Sequence, residues 1–422
     1  MLRPIAMPLS LVLWLVLWLV LSTVSCGGDS PGIPEGAHRF DGNDVALASD
    51  DLDPLWEMVG DARLIGLGES VHTSGGYYAA KHRLIRVLVE EHGVRFLAME
   101  SPRDRVATLD EYLVSGDCDR PADEVLLPIA KVFSDDNTYA LMRWLCERNA
   151  AAPSDPVHVF GFDVRQGDVD EAEIQSTLET WAPDDAPDLL AGIDPCFGLY
   201  SDPLPSEAEL ASCMEALDAL DGWVESHRAE LVAAAGERAV RLLEIAAISL
   251  RAWQGYAFFY DTDPARSGEA RDIGMGGVFN GIVNLELGSE GRAAVWAHNV
   301  HLTRHHDRIE DSIYFPGTVS FGTVVADAFG DDYAPVALTA YAPGINWPEV
   351  AVDDHYDFGT DFASVEARLH EMGEPYLIVD PRASFLRPDN QQLLSEETMI
   401  PSDQYAAIVY LDESPPMNAV YW

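Results

Sequence analysis

At 422 residues the chain exceeds what one compact core usually absorbs, and it reads as a large α/β unit carrying an insertion. Apolar residues at 48% and charged residues at 23% are ordinary globular values, and 32 Gly with 26 Pro fall short of low complexity, so wholesale disorder is excluded. The 71 Asp+Glu against 26 Lys+Arg give a formal charge of −45, a field that repels phosphate backbones and anionic lipid heads, so no nucleic-acid partner is expected.

The first segment reads as an address. Residues 1–25 carry one charge, Arg3, then an almost unbroken apolar run over 5–21 and a few small or polar residues, the pattern of a secretory signal peptide. The stretch Ser22-Thr23-Val24-Ser25-Cys26-Gly27-Gly28 resembles a bacterial lipobox, with Thr23 where Leu is usual. The expectation is lipidation of Cys26, with the protein anchored to the membrane on the extracytoplasmic side of the cell envelope, or secreted. An uncleaved anchor is the competing reading, because a run of about 17–20 apolar residues can just span a bilayer. A flexible linker follows over 26–45. In an oxidising compartment Cys118, Cys146, Cys196 and Cys213 allow three pairings. The local pairs Cys118–Cys146 and Cys196–Cys213 are expected because each closes a loop inside one segment, with free buried thiols the alternative for the first. No Cys-x-x-Cys spacing supports a thiolate zinc or redox motif.

Seven short apolar runs come next, at 63–67, 95–99, 157–162, 293–297, 335–341, 376–379 and 406–411. They are near-continuous, the mark of strands buried on both faces of a mostly parallel central sheet flanked by helices. Between the first two, Tyr78, Leu84 and Leu88 repeat at helical spacing over 77–92, with Gly93 as a stop, which makes a strand–helix–strand unit. The core halves, 46–167 and 288–422, enclose an inserted helical lobe at 168–287. That lobe carries helical patterns at 208–219 and 228–253 and an aromatic group, Trp253, Tyr256, Phe258, Phe259 and Tyr260. These aromatics read mainly as the lobe's core, and otherwise as the wall of a cleft.

Polar residues gather where the strands end: Gly66-Leu67-Gly68-Glu69-Ser70-Val71-His72, Met99-Glu100-Ser101, Gly161-Phe162-Asp163-Val164-Arg165, and Trp296-Ala297-His298-Asn299-Val300-His301. Carboxyl ends of neighbouring parallel strands share one crevice, so Glu69, His72, Glu100, Asp163, His298 and His301 are brought to one rim. Taken singly each has a bland reading, as a turn acid, a loop histidine or an ion-paired strand end. Jointly they suggest hydrolysis by water. A histidine can take a proton from water while an adjacent carboxylate, Glu69 or Glu100, fixes its tautomer; His298, Lys81 or Arg271 could face the developing oxyanion. No Gly-x-Ser-x-Gly elbow supports a serine nucleophile. The rival chemistry is a metal held by His298, His301 and His305, at spacings of three and four, with His306 nearby.

The same residues carry a family resemblance. GLGESVH followed by KHRLIRVLVEEHGVRFLAMES resembles the opening of the erythromycin esterase family, and the likeness continues through VFGFDVR, through Arg271-Asp272 with Met275, and through WAHNVH, over about residues 60–340. It implies a hydrolase of ester bonds, acting on a small-molecule ester or lactone without a cofactor. It places the general base on His72, acidic partners at Glu69 and Glu100 and a second histidine at His298. Lys81 takes the position of a basic active-site residue, and we expect Lys81, Asp163, Arg271 and His301 to bind substrate. Val278 departs from the pattern, standing where family members tend to carry Asn. An antibiotic substrate is not implied. The alternative of another class is a haem- or metal-binding envelope lipoprotein without catalysis.

Overall fold

The computed structural model describes residues 32–165, 167–196, 206–310, 312, 317–346, 364–395 and 397–420. The expected signal segment, residues 1–25, and Cys26 lie outside the described residues. Among the described residues ten strands occur: β1 (Ala37–Arg39), β2 (Leu64–Leu67), β3 (Val94–Pro102), β4 (His158–Asp163), β5 (Arg292–Trp296), β6 (Tyr333–Pro343), β7 (Tyr376–Val379), β8 (Gln392–Leu394), β9 (Glu397–Met399) and β10 (Ala407–Ser414). Eight form one sheet in the order β1-β7-β10-β6-β2-β5-β3-β4, while β8 and β9 pair as a small separate ribbon. From β10 to β4 every pairing is parallel. The edge departs from this, because β7 runs antiparallel to both β10 and β1.

All seven expected strands are present, and the sheet is α/β and mostly parallel as read. The near-continuous apolar runs arise because each strand serves two cores. On β2, Leu64 packs with Phe162, Val295 and Phe279 on one face, while Ile65 and Leu67 join Trp296, Leu88 and Leu97 on the other. Helices Gly75–Glu90, Arg103–Ser115 and Asp136–Ala151 cover the second face, and helices Pro264–Glu286 and Phe321–Phe329 the first. Fully burying one such Leu or Phe stabilises by about 1.5–3 kcal/mol, so these two layers dominate the favourable side of folding. Where described, the chain between β4 and β5 is helical, and a third core formed by Ile174, Leu178, Leu217, Leu220 and Leu250 lies within it. Both local disulfides form, Cys118–Cys146 with Cα atoms 5.6 Å apart and Cys196–Cys213 with 4.9 Å. Among the described residues no helix is long and apolar enough to cross a membrane.

Three local devices place the rim residues. A Cβ on Gly68 would fall 1.8 Å from Asn299 Oδ1, so only glycine lets that amide sit against the end of β2. Asn299 there brackets Leu338 of β6, donating to its carbonyl at 2.9 Å and accepting from its N–H at 3.3 Å, while the Asn299 N–H donates to Glu69 O at 2.8 Å. Helices Glu237–Phe259 and Pro264–Glu286 meet along a glycine seam: added Cβ atoms would approach Ala252 to 2.0 Å at Gly274, Ile245 to 2.6 Å at Gly281 and Ile248 to 2.8 Å at Gly277. Finally, backbone after β10 returns to the turn beyond β2. Gly75 N–H donates to Pro415 O at 2.8 Å and Met417 N–H to Thr73 O at 2.9 Å, while Val420 N–H reaches Ser134 O at 3.0 Å and Asn418 N–H reaches Asp135 Oδ2 at 2.8 Å.

Candidate active site

The turn after β2 delivers Glu69 and His72. Thr73, next in the chain, holds φ at +67°, a left-handed conformation costly for a β-branched residue, and is pinned there by its N–H on Tyr78 Oη at 2.8 Å and by Met417. His72 is thereby turned back onto the sheet end. Its Nδ1 lies 3.0 Å from Glu69 Oε1, and the other Glu69 oxygen accepts from Lys81. Glu69 and Lys81 are fully buried, the ammonium lying 4.7 Å above the Trp296 ring. Lys81, expected on the substrate side, is instead closed off and paired with Glu69. The sequence signal for this was its place on the apolar stripe Tyr78, Lys81, Ile85, Leu88, where a lone cation needs a buried partner.

Glu100 belongs to β3 rather than following it. The register between β3 and β4 slips between Met99 and Pro102, and Gly161 of β4 makes room, since a Cβ there would lie 2.3 Å from Ser101 O. The slip turns Glu100 away from His72 and into a second cluster. Its Oε2 accepts the His298 backbone N–H at 3.0 Å and its Oε1 accepts from Arg271 at 2.7 Å. Arg271, aimed by the glycine seam, also grips Asp163 with two bonds of 3.0 Å. His301 lies 3.1 Å from an Arg271 nitrogen and 3.5 Å from Glu100, while its Nδ1 meets Asp272 at 2.7 Å. The clusters join at the His72 and His298 rings, edge to face with centroids 5.0 Å apart. All eight predicted site residues thus belong to one connected assembly. Asp272, Thr73, Phe133 and Arg165 were not singled out. Asp272 adjoins Arg271 and Arg165 closes the VFGFDVR motif, whereas nothing local marks Phe133, whose ring lies 5.4 Å from that of His72.

Exposure separates the members. About a quarter of the His72 side chain is open, 24%, against 0–11% for Glu69, Lys81, Glu100, Asp163, Arg271 and His301. Burial lowers the His72 pKa to about 4, Glu100 opposing, so the imidazole is neutral near pH 7. Burial likewise holds His298 well below the ordinary imidazole range, with the neighbouring His72 and His301 adding to it; its ring accepts from Val300 N–H at 3.3 Å and is engaged by the Ser70 backbone. His301 differs: burial pulls its pKa down, but Asp272 and Glu100 outweigh that and raise it. Burial alone would raise the Glu100 pKa, yet His301 and Arg271 bring it well below the usual carboxylate range.

A cavity of about 600 Å³ opens beside the assembly, lined among others by Pro102, Arg165, Trp253, Tyr256 and Lys131. Arg165 is held by Asp163 at 2.7 Å and keeps 40% of its side chain exposed. The aromatic group is not the lobe's core: none of its five residues is fully buried, and Trp253 and Tyr256 form cavity wall. The shared histidine face of the metal reading does not form either. The helix Asn299–Leu302 ends before His305, and His306 turns inward onto Thr303 Oγ1 at 3.1 Å. Among the described residues no group of three or more His, Cys, Asp or Glu could hold a metal ion. Val278 packs in the core under the sheet rather than in the cavity.

A model of the erythromycin esterase family matches residues 89–414. The chain belongs to that family. It is 23% identical over 342 residues to an erythromycin esterase type II from Escherichia coli, covering 74% of this chain and 77% of that one. Its fold is similar to that of a Bacillus cereus protein, with a TM-score of 0.75 and 18% identity over 92% of this chain and 97% of the other. It is also similar to a mutant of the erythromycin esterase EreC in its open conformation, with a TM-score of 0.68 and 18% identity over 89% of this chain and 97% of that one. A third likeness, at a TM-score of 0.69 and 18% identity over 90% and 95%, is to a succinoglycan biosynthesis protein.

Proposed function

We propose that this member of the erythromycin esterase family hydrolyses a carboxylic ester or lactone, with His72 activating water. One observation carries the reading: of the acids and imidazoles in the assembly His72 has the largest open face, 24% of its side chain, and it has Nδ1 engaged by Glu69. With Nδ1–H donated to Glu69, the lone pair on Nε2 is left for a proton. His72 Nε2 takes a proton from water as the oxygen attacks the carbonyl carbon. The imidazolium, steadied by Glu69, returns that proton to the departing alkoxide as the C–O bond breaks. Of the cations near His72, Lys81 is sealed and Arg271 is committed to Asp163 and Glu100. Arg165, open to the cavity and held by Asp163, faces the charge that develops on the carbonyl oxygen. Thr73 and the Asn299 bracket are positioning residues.

The leader supports a lipidated site of action outside the cytoplasm, with Cys26 as the acylated residue. The experiment for the chemistry is a His72→Ala variant assayed on a panel of esters and lactones. A loss of roughly 10²–10⁴-fold in kcat with an unchanged circular dichroism spectrum is expected; wild-type turnover would remove the mechanism.

A further inference from the structure

We propose that the cavity lined by Arg165, Trp253 and Tyr256 selects a substrate bearing an anionic group next to an apolar or aromatic body, with Lys131 as the principal recognition residue. The inference rests on the hydrolase reading for the fate of the ester, though not for binding itself. In a chain whose acids outnumber its basic residues 71 to 26, the described lining of the cavity reverses the ratio: Arg105, Lys131 and Arg165 contribute, and among the described residues no Asp or Glu does. The inner assembly is close to balanced on its own. Lys81 offsets Glu69, while Arg271, Arg165 and His301 face Glu100, Asp163 and Asp272. Lys131 stands outside that balance. It is one of two lysines in the chain, its side chain is exposed, and it enters no ion pair among the described residues.

The rest of the lining is apolar and aromatic. Trp253 and Tyr256 lie with ring centroids 5.7 Å apart, and Leu127 and Ile129 add aliphatic surface. Such a wall takes up a flat or aliphatic body, and the cation fixes its charged end. The sign matters because the whole molecule, at −45, attracts cations to its surface and repels anions. A cationic ligand would meet Lys131 where it needs to bind, whereas an anionic one finds its favourable potential in this cavity. Discrimination thus comes as much from repelling the wrong charge as from holding the right one. The segment bearing Lys131 is tied to the site: Ala130 N–H donates to Ser101 Oγ at 3.0 Å, and Phe133 packs on His72.

The test is calorimetric binding of 4-phenylbutyrate, 4-phenylbutan-1-ol and 4-phenylbutylamine to the intact protein at low salt. The acid should bind at least about fivefold more tightly than the alcohol, with the amine weakest. Lys131→Met should erase the preference and Lys131→Arg should keep it. Equal binding of the three, no binding of the acid at millimolar concentration, or an acid preference that survives Lys131→Met overturns the proposal. Hydrolysis of mono-4-nitrophenyl glutarate against 4-nitrophenyl pentanoate separates the two readings. Acid-selective binding with neither ester cleaved sinks the hydrolase and leaves the selectivity standing. Cleavage of both esters at equal kcat/KM does the reverse.

Discussion

Glu69 carries two duties at once, and they can be pulled apart. It orients His72 and it neutralises a lysine sealed in the protein interior. Glu69→Gln removes the carboxylate from both, so it should lower kcat by about 10²- to 10⁴-fold and also destabilise by about 1–3 kcal/mol, because Lys81, whose pKa burial already holds well below the ordinary amine range, loses its buried partner. Adding Lys81→Met should restore much of the melting temperature and none of the turnover. Recovery of activity together with stability would mean that Glu69 serves only structure. The pH profile makes a separate point. A base must be unprotonated to act, and burial shifts the His72 pKa down from 6.5 to about 4. The acid limb of kcat/KM should therefore fall as pH drops through about 4, leaving activity intact at pH 6; a limb centred at 6.5 would show that burial does not govern the base. The acids and histidines of this site were legible in the sequence because strand ends in a parallel sheet share a crevice. Which acid serves His72 was not, since a one-residue slip in β3, invisible in the pattern, sends Glu100 to Arg271.

At the level of elements, the helices that deliver Arg271 and the aromatic wall depend on how closely two of them approach. Gly274→Val would drive a branched side chain into Ala252 and part the helices. A loss of about 1–3 kcal/mol is expected from overpacking. Because Arg271 sits three residues away, a fall in kcat exceeding that of an equally destabilised core variant such as Leu217→Val is also expected, read by activity against melting temperature. Equal falls would mean the seam matters for packing alone. The strands that were legible are those with long two-sided apolar runs. β1, β8 and β9 have three residues each, too few to show a period, and the antiparallel sense of β7 depends on a connection that no local run encodes. The aromatics near Trp253 were read as core because apolar character and helical spacing do not say whether the neighbouring space is filled.

For the molecule as a whole, the charge of −45 sets the conditions under which it is stable. Like charges repel one another across the surface, and added salt screens that repulsion over about 10 Å at 0.1 M. The melting temperature should therefore climb between about 0.02 and 0.5 M NaCl. A flat or falling curve would mean that attractive ion pairs, such as those linking Arg228, Arg241 and Arg251 to acids of the helical lobe, outweigh the repulsion. Fold class was legible at this scale because composition and strand periodicity report on the whole chain, whereas the sign reversal inside one cavity is lost in any average.

The backbone that returns after β10 clasps the turn at Thr73 and Gly75 with one stretch and the Ser134–Asp135 loop with the next. Residues far apart in the chain are thus buckled together around the imidazole, and Met417 of the same stretch joins the core that covers the sheet. A proteolytic nick within 415–420 should therefore loosen the turn that aims His72 and lower turnover, read by activity before and after cleavage.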